Sequence, residues 1–104
     1  MNSNERIQYL EELLQNDPHD SFLNYALALE YINLGGLDDA VDLLECLRAD
    51  DPGYTPTYYQ LASIYIQQGQ TDKARTIIEE GMKLTKSIDN KTYNELVGLL
   101  GNVE

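Results

Sequence analysis

Apolar residues fall at helical spacing through most of the chain. Leu27, Ala28 and Tyr31 share one face of a helix, and Ala40, Leu43, Leu44 and Leu47 share another, because side chains three and four apart stack on an α-helix. Turn residues divide the pattern. Asp17-Pro18 and Asp51-Pro52 end helices, since proline pushes the residue before it out of helical geometry. Gly35-Gly36 and Gly69 supply the left-handed backbone that helix ends often need. Six helices are predicted, near residues 4–16, 21–34, 38–50, 56–68, 72–84 and 89–100. Thr55 and Thr71 are the expected N-caps of the fourth and fifth, with Pro56 in the first helical position, and Asp89 is the expected cap of the last.

The pattern repeats with a period of thirty-four residues. Tyr25, Leu27, Ala28, Tyr31, Ile32, Gly35, Asp38, Ala40 and Glu45 return as Tyr59, Leu61, Ala62, Tyr65, Ile66, Gly69, Asp72, Ala74 and Glu79. These are nine identities between residues 19–52 and 53–86, where average residue usage gives roughly two by chance. A period of this size marks a helical solenoid. The flanks keep the register. Leu10-Glu11-Glu12-Leu13 precedes Leu44-Glu45-Cys46-Leu47 by one period, and Tyr93 follows Tyr59 by one period.

These residues resemble the tetratricopeptide repeat (TPR). The first unit carries Leu27-Ala28, Tyr31, Gly35, Ala40, Leu44 and Pro52, and the second carries Tyr58, Leu61-Ala62, Tyr65, Gly69, Ala74 and Ile78. Three positions depart from that family's pattern. Asn24 stands where a large residue is usual, Gly81 where alanine is usual, and Lys86 where the closing proline is usual. The resemblance implies an all-α fold: a short right-handed solenoid of about six antiparallel helices in the order B-AB-AB-A. It implies one TPR-like domain over 1–104, with a capping helix at 4–16, repeats at 19–52 and 53–86, and a C-terminal cap at 87–104. The capping helices are expected to cover both ends of a complete small solenoid. Ala28, Ala40, Ala62 and Ala74 are small where helices meet, and Gly81 allows a still closer approach.

Charge narrows the partners. The net charge is −11, split into −10 over residues 1–52 and −1 over 53–104. Nucleic acid and anionic membranes are not expected partners, because both select clustered Lys and Arg. An apolar or basic polypeptide fits better. No run of eighteen apolar residues is present, the first residues lack the features of a signal peptide, and Cys46 has no internal disulfide partner. A cytoplasmic location is the expectation.

No catalytic, cofactor-binding or metal-binding group is expected. His19 follows Pro18 at a helix start and reads as a loop or capping residue. Cys46 lies near Glu45 and Asp42, and neighbouring carboxylates disfavour a thiolate. Asp38, Asp39 and Asp42 complement the positive end of a helix, without the spacing of a calcium loop.

The family resemblance instead implies a concave groove lined by the A helices. It places Phe22, Tyr25, Leu29, Ile32 and Asn33 there, then Pro56, Tyr59, Ser63, Ile66 and Gln67, then Asn90, Tyr93, Val97 and Leu100. Tyr25, Tyr59 and Tyr93 form a ladder and Ile32, Ile66 and Leu100 an apolar row, a composition suited to gripping an apolar or aromatic segment. Packing between helices is the competing role for the tyrosines. Some TPR domains grip a C-terminal carboxylate with Lys, Arg and Asn, but the matching Tyr25, Leu29, Tyr59, Gln60, Ser63 and Asn90 include no cation. A protein-binding adaptor is therefore the expected function. A homodimer built on the C-terminal helix, whose Gly98 allows close approach, or on the groove is the alternative.

Overall fold

The computed structural model describes residues 1–103 of the chain. Its helices are α1 (Ser3–Asn16), α2 (Ser21–Asn33), α3 (Leu37–Asp50), α4 (Pro56–Gln67), α5 (Thr71–Thr85) and α6 (Asn90–Leu99), followed by a 3-10 turn at Leu100–Asn102. No strand occurs among the described residues. Two compact units emerge, Met1–Pro52 with α1 to α3 and Gly53–Glu104 with α4 to α6. The predicted C-terminal cap at 87–104 ends on Glu104, outside the described residues.

The turn residues act as their chemistry requires. Asp17 and Asp51 close α1 and α3 in nearly the same conformation, φ −146° with ψ 73° and φ −142° with ψ 73°, each held extended by the proline that follows. Gly35 and Gly69 take φ of +79° and +74°, a region costly for residues with a Cβ. Each then closes its helix by the same pair of bonds. The Gly35 N–H donates to the Ile32 carbonyl and the Gly36 N–H to that of Tyr31, while Gly69 and Gln70 donate to Ile66 and Tyr65.

Two expected caps are corrected. Thr55 precedes α4, but its side chain does not cap that helix. Its hydroxyl donates instead to Asp89 Oδ2 at 2.7 Å, a charge-assisted bond. Thr71 is the first residue of α5, and the N-cap is Gln70, with no side-chain bond. Asp89 does cap α6, accepting from the Thr92 N–H at 3.1 Å. That helix ends at Leu99, so Leu100 belongs to the 3-10 turn rather than to α6. The Val103 N–H donates to the Leu100 carbonyl and closes this turn.

The two units are packed unequally. In the first, α1 buries no residue fully, and the core is Leu27, Ala28, Ala40, Leu44 and Leu47. Tyr31 and Leu43, expected in this core, are only half-buried. In the second, Tyr58, Leu61, Ala62, Ile64, Tyr65, Ala74, Ile77, Ile78, Leu96 and Val103 are all buried. The difference traces to single positions of the repeat. Tyr58 is fully buried, whereas Asn24, one period earlier, uses its amide to hold the turn before α2, donating to the Pro18 and Asp20 carbonyls at 3.0 and 2.9 Å. Gly81 makes room for the tyrosine. A Cβ there would lie 2.8 Å from Tyr58 Cβ and 2.7 Å from Leu96 Cδ1, closer than carbon atoms tolerate.

Candidate functional site

On α2, in the first unit, Phe22 is 66% exposed, Tyr25, Leu29 and Ile32 are half-buried, and Asn33 is exposed. On α4, in the second unit, Tyr59, Ser63 and Ile66 are half-buried and Gln67 is exposed. Tyr93 and Leu100 are half-buried and Val97 is 40% exposed. Pro56 is half-buried and Asn90 exposed. None of the three ladder tyrosines is sealed in a core, and none stands fully free. Helix α4 packs against α6, so the second unit brings two of the predicted A helices side by side.

The second unit also contains a recess that the repeat pattern did not reveal. Tyr93 and Leu100 border an open cleft of about 480 Å³ with Glu79, Met82, Lys83 and Lys86 of α5 and its C-terminal end. Glu79, Met82, Lys83 and Lys86 stand at i, i+3, i+4 and i+7, and so share one helix face. That spacing was readable in the sequence; what it faces was not. Lys83 and Lys86 make no ion pair among the described residues, in contrast to Arg6, Arg48 and Arg75, which pair with Glu30, Glu45 and Asp72.

Asp89 organises the start of α6. It accepts from the Thr92 N–H, from the Thr92 hydroxyl at 2.6 Å and from the Thr55 hydroxyl. The Thr92 bonds, first the hydroxyl and then the N–H, and then Thr55 hold its carboxyl below the usual range. In the first unit, burial pushes the Glu30 carboxyl up, but hydrogen bonds from Arg6, Ser3 and Asn33 and the charge of Arg6 together outweigh it and the net shift is downward. The ion pair is close, with Arg6 Nε 2.9 Å from Glu30 Oε2.

Two smaller recesses lie in the first unit. Leu27, Tyr31, Asp39, Asp42, Leu43 and Cys46 line one of about 290 Å³. Burial first, and then the charges of Glu11 and Asp39, push the Tyr31 hydroxyl up, so it stays protonated. The other, of about 130 Å³, has both His19 and Cys46 on its border, an approach that the sequence did not show. His19 Nδ1 lies 3.2 Å from Asp50 Oδ2, so the ring is tied to that carboxylate at an exposed turn. Among the described residues, no group of three or more His, Cys, Asp or Glu side chains is placed to hold a metal ion. None of the described helices is long and apolar enough to cross a membrane.

Paired helices, small residues at their contacts, and half-exposed aromatic residues at repeating positions define an all-α helical-repeat protein of the kind that binds other polypeptides. The tetratricopeptide repeat family model matches residues 35–87. The solution structure of a tetratricopeptide repeat domain protein from Salinibacter ruber is 32% identical over 85% of this chain and 90% of that one, with a TM-score of 0.79. The crystal structure of the Salinibacter ruber protein gives 32% identity, 76% and 90% coverage and a TM-score of 0.73. The chain belongs to the tetratricopeptide repeat family. The crystal structure of MamA shares the fold, with a TM-score of 0.75 at 19% identity over 97% of this chain and 66% of that one. A comparison with curated proteins finds no match. TPR domains are in general non-catalytic protein-interaction modules.

Proposed function

We propose that this chain is a non-catalytic adaptor that binds an apolar or aromatic segment of another protein through the exposed faces of its A helices. In the second unit that surface is Tyr59, Ser63, Ile66 and Gln67 of α4 with Tyr93, Val97 and Leu100. The observation that carries the reading is the partial exposure of Tyr59, Ile66, Tyr93 and Leu100, large side chains that a helix bundle normally seals. Tyrosine suits such a contact, because it buries a ring and keeps a hydroxyl for a hydrogen bond. In the first unit, α2 offers the same chemistry with Phe22, Tyr25, Leu29, Ile32 and Asn33.

Affinity capture from native lysate with the wild type and a Tyr59→Ala, Ile66→Ser variant tests the reading. The variant should keep its helical circular dichroism and lose at least one specific partner. A folded variant that retains every wild-type partner overturns the assignment of this face.

A further inference from the structure

The α5–α6 cleft has a chemistry distinct from the rest of the molecule. Met82, Tyr93 and Leu100 give it an apolar lining, Lys83 and Lys86 supply two cations, and Glu79 is the one acid among its described lining residues. The cleft therefore suits a helix that carries one bulky apolar side chain and flanking carboxylates. The chain displays such a helix itself. On α1, Glu5, Tyr9 and Glu12 stand at i, i+4 and i+7, all three are exposed, and Tyr9 is 52% exposed. Both stripes span eight residues, about 10 Å of helix.

Two further observations favour a second copy as the occupant. The −10 and −1 charges of the two halves set an acidic first unit against a second unit with free lysines. The α1 stripe also corresponds, one period later, to positions that rim a recess on α3 with Leu27 and Tyr31 of α2, where Leu43 is half-buried and Asp39 and Cys46 are exposed. On α1 this face is open, and no residue of the helix is fully buried.

We propose that the chain self-associates head to tail, with Tyr9 of one copy seated in the Met82–Tyr93–Leu100 cleft of the next and the α1 carboxylates beside Lys83 and Lys86. The contact joins two different surfaces, so it builds open chains or closed rings, of which a reciprocal pair making the contact twice is the smallest. It is small, which makes the association weak and dependent on concentration. The net charge of −11 on each copy opposes approach at long range, but charges more than about 10 Å apart are screened at ordinary salt, which leaves the local match to decide.

A charge exchange tests it by sedimentation equilibrium. The wild type should rise above its monomer mass of 11.8 kDa at high micromolar concentration. Lys83→Glu with Lys86→Glu should remain monomeric, and so should Gln8→Lys with Glu12→Lys, which spares Glu5 because it belongs to the α1 capping box. Mixing the two variants should restore association, since acid and base again face each other in both pairings. Tyr9→Ala should weaken wild-type association while melting unchanged. A wild type that stays monomeric overturns the proposal, as does a mixture of the two variants that stays monomeric. Tyr93 and Leu100 belong to both surfaces, but none of these substitutions alters Tyr59 or Ile66, so the two readings fail separately.

Discussion

Gly81→Ala sets two effects of opposite sign against each other. In a helix interior, alanine is favoured over glycine by about 0.8–1.0 kcal/mol. At Gly81 the added methyl meets Leu96 Cδ1 at 2.7 Å, Tyr58 Cβ at 2.8 Å and Tyr58 Cγ at 3.0 Å. The leucine methyl can rotate aside. The tyrosine Cβ cannot, because it sits next to the α4 backbone in a side chain with no exposed surface. Relief therefore requires α4 and α5 to separate, and overpacking of this kind costs about 1–3 kcal/mol. The steric term wins, and the net loss is about 1 kcal/mol after the gain in propensity. Near 100 residues, such a loss lowers the melting temperature by about 4–8 °C.

Gly98→Ala is the matched control. Gly98 lies in α6, a Cβ there would meet no heavy atom within 4 Å, and its φ is not positive. The same substitution there should stabilise by about 0.5–1 kcal/mol. Thermal melts followed by far-ultraviolet circular dichroism read both variants. If Gly81→Ala melts as high as Gly98→Ala, the close approach of Tyr58 to α5 does not exist and the account of the second core fails.

Acid should loosen α6 early. The folded Asp89 carboxyl lies below its ordinary range, so its contribution is present above the unfolded pKa and lost as pH falls through the folded value. Asp89→Ala should abolish that acid dependence and destabilise by about 1–2 kcal/mol through loss of the cap, read in melts at pH 7 and pH 3. Thr57→Val should be neutral or stabilising by up to about 1 kcal/mol, because the Thr57 hydroxyl is buried with no hydrogen-bond partner; a clear fall in denaturation midpoint would show that it has one. Arg75 donates through Nη2 to the Val103 carbonyl, and Val103 is 4% exposed. Arg75→Ala should therefore speed amide exchange at Val103 while α4 stays protected; an unchanged Val103 rate refutes that anchor.

Helix number, order and most boundaries were legible because they rest on local signals. Proline after Asp17 and Asp51 and glycine at 35 and 69 act within a few residues, and a thirty-four-residue period shows each signal twice. The Thr55 and Thr71 caps were misread for different reasons: Thr71 is the first residue of α5, one past the cap position, whereas Thr55 is held by a distant partner. A hydroxyl can bond to any acceptor within reach, and sequence shows only the near ones. The acceptor of Thr55 lies thirty-four residues away on Asp89. The cleft stayed hidden for the same reason. Lys83, Lys86 and Met82 share a face by spacing, but only the packing of α6 on α5 sets Tyr93 and Leu100 opposite them. The A-helix positions came from family register, and their partial exposure was not readable from residue type.

Nine shared repeat positions do not yield equal units, and the positions that differ explain why. The first unit has Asn24 and Leu47 where the second has Tyr58 and Gly81. The second pair is complementary, a ring and the space for it, and it closes a core that extends to Leu96. The first pair substitutes a turn-holding amide for the ring, so α2 contributes only Leu27 and Ala28 to its fully buried core. The first half also carries nearly all of the net charge, and self-repulsion acts against its compact form. The unit with the smaller core therefore holds the acidic surface, and the better-packed unit holds the lysine-rimmed cleft. A rigid receptor cleft loses less conformational entropy on binding than a loose one, which favours the second unit as the receiving side of any contact between copies.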